Sequence, residues 1–207
     1  MVRGQHGHRR RRLWGGVNGA LPIDYPGDRE CDRRRHDQRR AGPCGRAILL
    51  ARLAEGTIAV EVAVADWRTG IDGRHGITVS KNQVADNLYG IVADGGSVVG
   101  NVAINNRAGI FVKGTANATG NATYGNHDFG IFVTNPFVGV ITKNNIFGNE
   151  CGLFNLGVVG VAATNNYWGA PTGPGGGAAD TTCNENGGTT DVTPFATKPF
   201  AVKVLKP

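Results

Sequence analysis

The sequence predicts an all-β chain wound as a single-stranded, right-handed parallel β-helix, and three observations carry that prediction. Asparagines recur in pairs five residues apart: Asn82 and Asn87, Asn101 and Asn106, Asn121 and Asn126, Asn144 and Asn149. Each pair is followed by a glycine with an aliphatic partner (Gly90-Ile91, Gly109-Ile110, Gly130-Ile131, Gly152-Leu153), and successive glycines stand 19, 21 and 22 residues apart. Apolar residues within a unit alternate with a period of two, as in Ile110 and Val112 or Ile131 and Val133, which is strand periodicity. Self-similarity near 20 residues marks a solenoid. Leucine is too scarce for leucine-rich repeats, and Gly, Asn and β-branched residues are too dense for helical ones. Such a unit holds three short strands and three corners, with coils about 4.8 Å apart, so about five coils of 19–22 residues fit between residues 56 and 168.

From the N-terminus, residues 1–55 do not share this pattern. Residues 1–75 carry 15 of the 16 arginines, no lysine and 9 acidic residues; residues 76–207 carry one arginine, all six lysines and 7 acidic residues. The whole net charge of +6 therefore sits in the first part. Three readings stay open for this Arg-rich segment. It is a mistranslated stretch or misplaced start, or a disordered tail too poor in apolar residues to offset ordering entropy. The third is a basic arm for nucleic acid or another anionic surface; otherwise no nucleic-acid partner is expected. The apolar run at 47–54 is interrupted by Arg52 and makes a poor signal sequence. No stretch is long enough to span a bilayer. Nothing before residue 56 reads as a cap for a first coil, which suggests a shortened chain lacking its signal peptide.

The alternating segments 57–66 and 76–82 open the solenoid. Where equivalent side chains stack from coil to coil, an asparagine at a corner passes amide hydrogen bonds along a ladder, and it tolerates the left-handed backbone that corners need. Every repeated asparagine is thus expected to be structural. Alternation puts Ile91, Ile110, Ile131 and Leu153 inside with Ala93, Val112 and Val133, leaving Val92, Phe111, Phe132 and Phe154 outside. Four cysteines at 31, 44, 151 and 183 lack metal-ligand spacing. Cys151 and Cys183 read as small buried residues with free thiols, pairing only if the tail folds back. Asn117 and Asn121 head formal glycosylation acceptors, but their turn positions explain them better.

After Asn165-Asn166, Tyr167 and Trp168 are large enough to plug the open end; residues 169–207 form a Pro/Gly-rich closing segment, whose Pro/Gly run cannot continue the ladder. Here "NNYWGAPTGPGG" followed by "DVTPF" resembles the C-terminal closure of right-handed parallel β-helix repeat proteins. That group includes the NosD-like periplasmic proteins and the CASH carbohydrate-binding and sugar-hydrolase families, with their pectate-lyase-like fold. The resemblance covers roughly residues 76–200. It implies an extracellular or cell-envelope protein acting on an extended carbohydrate.

Two sets of residues are candidates for that action. The residues following the second asparagine of each unit are Leu88, Arg107, His127 and Glu150, and the extra residue in "NHDFG" should bulge outward, carrying Asp128 with it. If the chain is a uronate lyase or epimerase, the resemblance casts Arg107 as the cation facing the sugar carboxylate and His127 as the base. Asp128 and Glu150 could instead serve as the carboxylate pair of a glycoside hydrolase. The motifs that mark those enzymes are not visible. The other set is the outward column Phe111, Phe132 and Phe154, with Lys113 and Asp94 at its edge, suited to stacking on a polysaccharide. Carbohydrate binding is the favoured reading. A polysaccharide lyase, epimerase or hydrolase is the alternative, and a structural or adhesive solenoid without ligand a third. No metal or cofactor is expected.

Overall fold

A computed structural model of the 207-residue chain describes residues 57–58, 63–64, 69–157 and 160–202. All the described residues belong to one compact unit, which lies within Gly45–Pro207. The expectations for the Arg-rich segment 1–55, including Cys31 and Cys44, lie outside the described residues.

The described chain is all β, and its strands follow three to a coil. The first coil holds β1 (Thr57–Ile58), β2 (Ala63–Val64) and β3 (Thr69–Arg74), and the second β4 (Thr78–Ser80), β5 (Gln83–Ala85) and β6 (Tyr89–Asp94). The third holds β7 (Ser97–Val99), β8 (Val102–Ile104) and β9 (Ala108–Gly114), and the fourth β10 (Asn117–Thr119), β11 (Ala122–Tyr124) and β12 (Phe129–Phe137). The fifth holds β13 (Ile141–Thr142), β14 (Asn145–Phe147) and β15 (Cys151–Asn155). Strands of like position pair in parallel, giving sheet A (β1-β4-β7-β10-β13), sheet B (β2-β5-β8-β11-β14) and sheet C, which begins β3-β6-β9-β12-β15. This is the parallel β-helix that the repeat predicts.

Each sheet supplies one aliphatic column to the interior, and residues in register lie over one another. Val79, Val98, Ala118 and Ile141 come from sheet A. Val84, Ala103, Thr123 and Ile146 come from sheet B, and Ile91, Ile110, Ile131 and Leu153 from sheet C. All twelve are fully buried. Ala93, Val112 and Val133 are buried beside them, as alternation requires. Thr123 is the polar member, and its hydroxyl donates to the Gly130 carbonyl at 2.8 Å.

Two asparagine ladders hold the corners on either side of sheet B. In the first, the Nδ2 of Asn82, Asn101, Asn121 and Asn144 each donates to the Oδ1 of the asparagine one coil on, at 3.1, 3.0, 2.9 and 3.0 Å, ending on Asn166. In the second, Asn87, Asn106 and Asn126 do the same at 3.0, 3.2 and 2.8 Å, ending on Asn149. The backbone N–H of each donor bonds the same Oδ1 at 2.9 or 3.0 Å. Side chain and main chain of one coil are thus clamped by one oxygen of the next.

The left-handed corner is not where the sequence reading put it. The residue before each ladder asparagine takes the positive φ: Lys81, Gly100, Gly120, Lys143 and Asn165 in one ladder, Asp86, Asn105, Gly125 and Gly148 in the other. The ladder asparagines themselves are absent from the positive-φ set, because their backbone N–H must point along the solenoid to reach the next Oδ1. The repeat glycine has a separate cause. A Cβ on Gly130 would meet the Gly152 carbonyl oxygen at 2.6 Å and Asn149 Nδ2 at 2.7 Å, so the ladder packs against bare backbone there.

The end of the solenoid corrects two expectations, the joint plug and the free thiols. Trp168 is buried at this end with no exposed surface, together with Val161 and Ala163, while Tyr167 is half-buried and donates its hydroxyl to the Gly169 carbonyl at 2.7 Å. The closing segment rejoins the ladder after its Pro/Gly excursion. The strand β16 (Gly160–Ala162) precedes that excursion; β17 (Thr182–Asn184) then pairs with β15, and β18 (Thr189–Asp191) pairs with β16. Cys151 and Cys183 are joined in a disulfide rather than left as free thiols, because β17 returns beside β15 and brings Cys183 into register with Phe154. Beyond it, the Phe200 main chain exchanges two 2.8 Å bonds with the Asn145 side-chain amide, so the tail lies on the outer face of sheet B.

Candidate functional site

The outer face of sheet C carries the candidate residues, and the register orders them into columns. One column runs Asp72, Val92, Phe111, Phe132, Phe154. The three phenylalanines are half-buried and their rings form a continuous row, with centroids 4.9 Å apart for Phe111–Phe132 and 5.5 Å for Phe132–Phe154. The rings are inclined to one another by 23° and 29°, and each residue keeps part of its surface exposed.

Two more rings join the row. Tyr89 lies 5.8 Å from Phe111, and Phe129 lies 5.4 Å from Phe132 and 4.4 Å from Phe154. The alternation rule missed both because they stand just before the repeat glycine, where the chain leaves the corner. The column Tyr89, Ala108, Phe129, Cys151 was legible only as the residue preceding each Gly-Ile or Gly-Leu pair.

Charged residues border the strip in pairs. On the far side, Arg74, Asp94 and Lys113 share a column. Arg74 donates its Nε to both carboxylate oxygens of Asp72, at 2.7 and 2.9 Å, and its Nη2 also bonds Asp72. That bonding holds the Asp72 carboxyl below its ordinary pKa, against an opposing push from partial burial. Lys113 Nζ lies 3.0 Å from Asp94. The sequence reading had placed these last two together.

On the near side, Arg107 donates its Nε to Asp128 at 2.6 Å. The extra residue of the fourth coil is absorbed when the N–H groups of both Asp128 and Phe129 bond the Arg107 carbonyl, at 2.9 and 3.2 Å. This bulge turns Asp128 onto Arg107 and leaves His127 exposed. Glu150, one coil on, is also exposed. Of the four residues proposed for chemistry, the structure joins Arg107 and Asp128 to each other and leaves His127 and Glu150 to solvent. A sugar carboxylate approaching Arg107 must therefore compete with Asp128.

The soft and nitrogen donors are dispersed. The described histidines, His75 and His127, lie on opposite borders of sheet C and on different coils, and Cys151 and Cys183 are committed to each other. Among the described residues no group of three or more His, Cys, Asp or Glu side chains is arranged to hold a metal ion. No helix of the described residues is long and apolar enough to cross a membrane.

Comparison with known proteins gives one result of weight. A family model described as "Periplasmic copper-binding protein (NosD)" matches residues 54–170, the stretch that holds the five coils and both ladders. No curated protein and no solved structure matches the chain. Copper sites draw on imidazole, thiolate and thioether ligands. The described residues do not fit one, since their two imidazoles are apart and their thiols are oxidised together. No step through copper follows from this structure. A disulfide belongs to an oxidising compartment such as the periplasm, which agrees with the location in the family's description. With the match spanning more than half of the chain and the solenoid built as the repeat requires, the chain belongs to the NosD family of β-helix proteins.

Proposed function

We propose that this chain acts by binding, holding an extended carbohydrate along the aromatic strip of sheet C in the periplasm or cell envelope. The observation that carries the reading is the unbroken row of Tyr89, Phe111, Phe132, Phe129 and Phe154, whose neighbouring centroids lie 4.4–5.8 Å apart. Pyranose rings present apolar C–H faces that pack on aromatic carbon, and a strip that repeats from coil to coil suits a polymer that repeats along its length. Five half-buried rings on one flat face also exceed what scattered surface residues explain.

The test is affinity electrophoresis of the full chain in gels containing a panel of polysaccharides, with Phe132→Ala beside the wild type. The reading expects retardation by at least one polymer and its loss in the variant, whose melting transition is followed to show that it still folds. Retardation by none of the polymers, or retardation that survives Phe132→Ala, overturns it.

A further inference from the structure

We infer that the ligand of this face is a neutral polysaccharide and not a uronate polymer. The inference rests on the glycan-binding reading and deepens it. Its basis is the electrostatic pairing around the strip. Among the described residues, each cation that borders the rings already has a carboxylate: Arg74 with Asp72, Lys113 with Asp94 at 3.0 Å, and Arg107 with Asp128 at 2.6 Å. Glu150, exposed on the near border one coil beyond Asp128, adds a further negative charge.

A polymer with one carboxylate per sugar would lay a row of negative charges along this border. To gain a cation it must displace an acid already seated at hydrogen-bond distance, and the displaced carboxylate then lies beside it. Like charges held a few ångströms apart in a partly desolvated face repel. Discrimination by juxtaposed like charge is a recognised way to exclude a competing ligand. The three described acids in these pairs thus act against uronates whatever their effect on stability.

For uncharged sugars the same pairs are assets. A carboxylate has about four lone-pair sites and an ammonium three donors, so each pair keeps unused acceptors and donors after its own bond is made. Its side chains are held in place by that bond, so hydroxyl groups meet oriented partners without a net charge to neutralise. The aromatic row supplies the apolar contact, and the paired borders supply hydrogen bonds on both sides of it.

The experiment measures binding of the full chain to soluble neutral polymers (a β-glucan, a mannan, a xylan) and to polygalacturonate and alginate, at low and physiological salt. The inference expects at least tenfold tighter binding to one neutral polymer than to either uronate. It also expects Asp94→Asn, which leaves Lys113 without its acid, to gain uronate binding at least threefold at low salt and to lose that gain at high salt. Preference of the wild type for a uronate overturns this inference while leaving the glycan-binding reading in place. Binding to none of the polymers overturns both. A folded Asp94→Asn that gains nothing overturns the electrostatic explanation and with it the inference.

Discussion

Asn149 donates its side-chain amide to the Asp180 carboxylate at 2.7 Å, and its backbone N–H reaches the same group at 3.1 Å. Asp180 therefore takes the place that the next asparagine would fill in the second ladder. Every amide in that ladder points the same way, donating toward the C-terminal end, so a bare acceptor is the natural terminus. The excursion through residues 169–181 delivers it.

That terminus carries a cost at neutral pH. Burial raises the Asp180 pKa above its ordinary value, with hydrogen bonds from Asn149 and Gly148 opposing the shift. Because the folded state holds the proton more tightly than the unfolded one, lowering the pH through the raised native pKa adds stability, and the gain levels off below about 3.8–3.9. Asp180→Asn keeps an oxygen acceptor and removes the charge. It is expected to melt at or above the wild type at pH 7, with the difference shrinking toward pH 4. Asp180→Ala leaves the Asn149 donors orphaned and is expected to lose about 1–3 kcal/mol at both pH values. Urea titrations of the three proteins at pH 4 and 7 check both signs, since other carboxylates cancel in the comparison.

An interior rung should be costlier to remove than the end of the ladder. Asn121 donates Nδ2 to Asn144 Oδ1 at 2.9 Å and to the Val98 carbonyl at 2.8 Å, and it accepts two bonds from Asn101. Asn121→Leu is nearly the same size yet strands those partners with no water to replace it. About 1–3 kcal/mol per orphaned group is expected, enough to unfold a marginal domain. Equilibrium unfolding, or failure to recover soluble protein, reports the outcome; a loss under 1 kcal/mol refutes the ladder's energetic role.

Most of the fold could be read from the chain because a solenoid writes each structural role once per coil. The inward columns, the outward phenylalanines and the ladder partners were all readable from spacing. What escaped was whatever does not repeat. The extra residue of the fourth coil announced a bulge, but only the structure shows that it swings Asp128 onto Arg107 while His127 stays in solvent. The Cys151–Cys183 bond and the Asp180 cap depend on a return path through a Pro/Gly excursion with no periodicity. Tyr89 and Phe129 repeat in position but not in residue type, with Ala108 and Cys151 in the same column, so no aromatic pattern announced them.

The corner geometry makes a stabilising substitution available. Lys143 holds φ at 56°, and the same corner is occupied by Gly120 and Gly100 one and two coils below. A β-carbon in the left-handed region costs about 1–2 kcal/mol, offset in part by the greater freedom that glycine has when unfolded. Lys143 is exposed, so little packing is lost with its side chain. Lys143→Gly is expected to raise stability by up to about 1 kcal/mol, read as a higher urea midpoint at unchanged slope.

The disulfide should be worth more than any single ladder bond. Cys151 and Cys183 are separated by 32 residues, and closing a loop of that length in the unfolded chain corresponds to about 3–4 kcal/mol in the chain-entropy model. The loop contains Trp168, which is buried at the end of the core, and Asp180, which ends the second ladder, so the bond ties both closing devices to the body of the solenoid. The double variant Cys151→Ser and Cys183→Ser is expected to lose about 2–4 kcal/mol. Its earliest hydrogen exchange should appear at the amides of β17 and of the neighbouring β15, which pair with each other, and not in β6 or β9 within the middle coils. Uniformly faster exchange across all coils would mean instead that the clasp acts only on the unfolded chain, with no local hold on the end it closes.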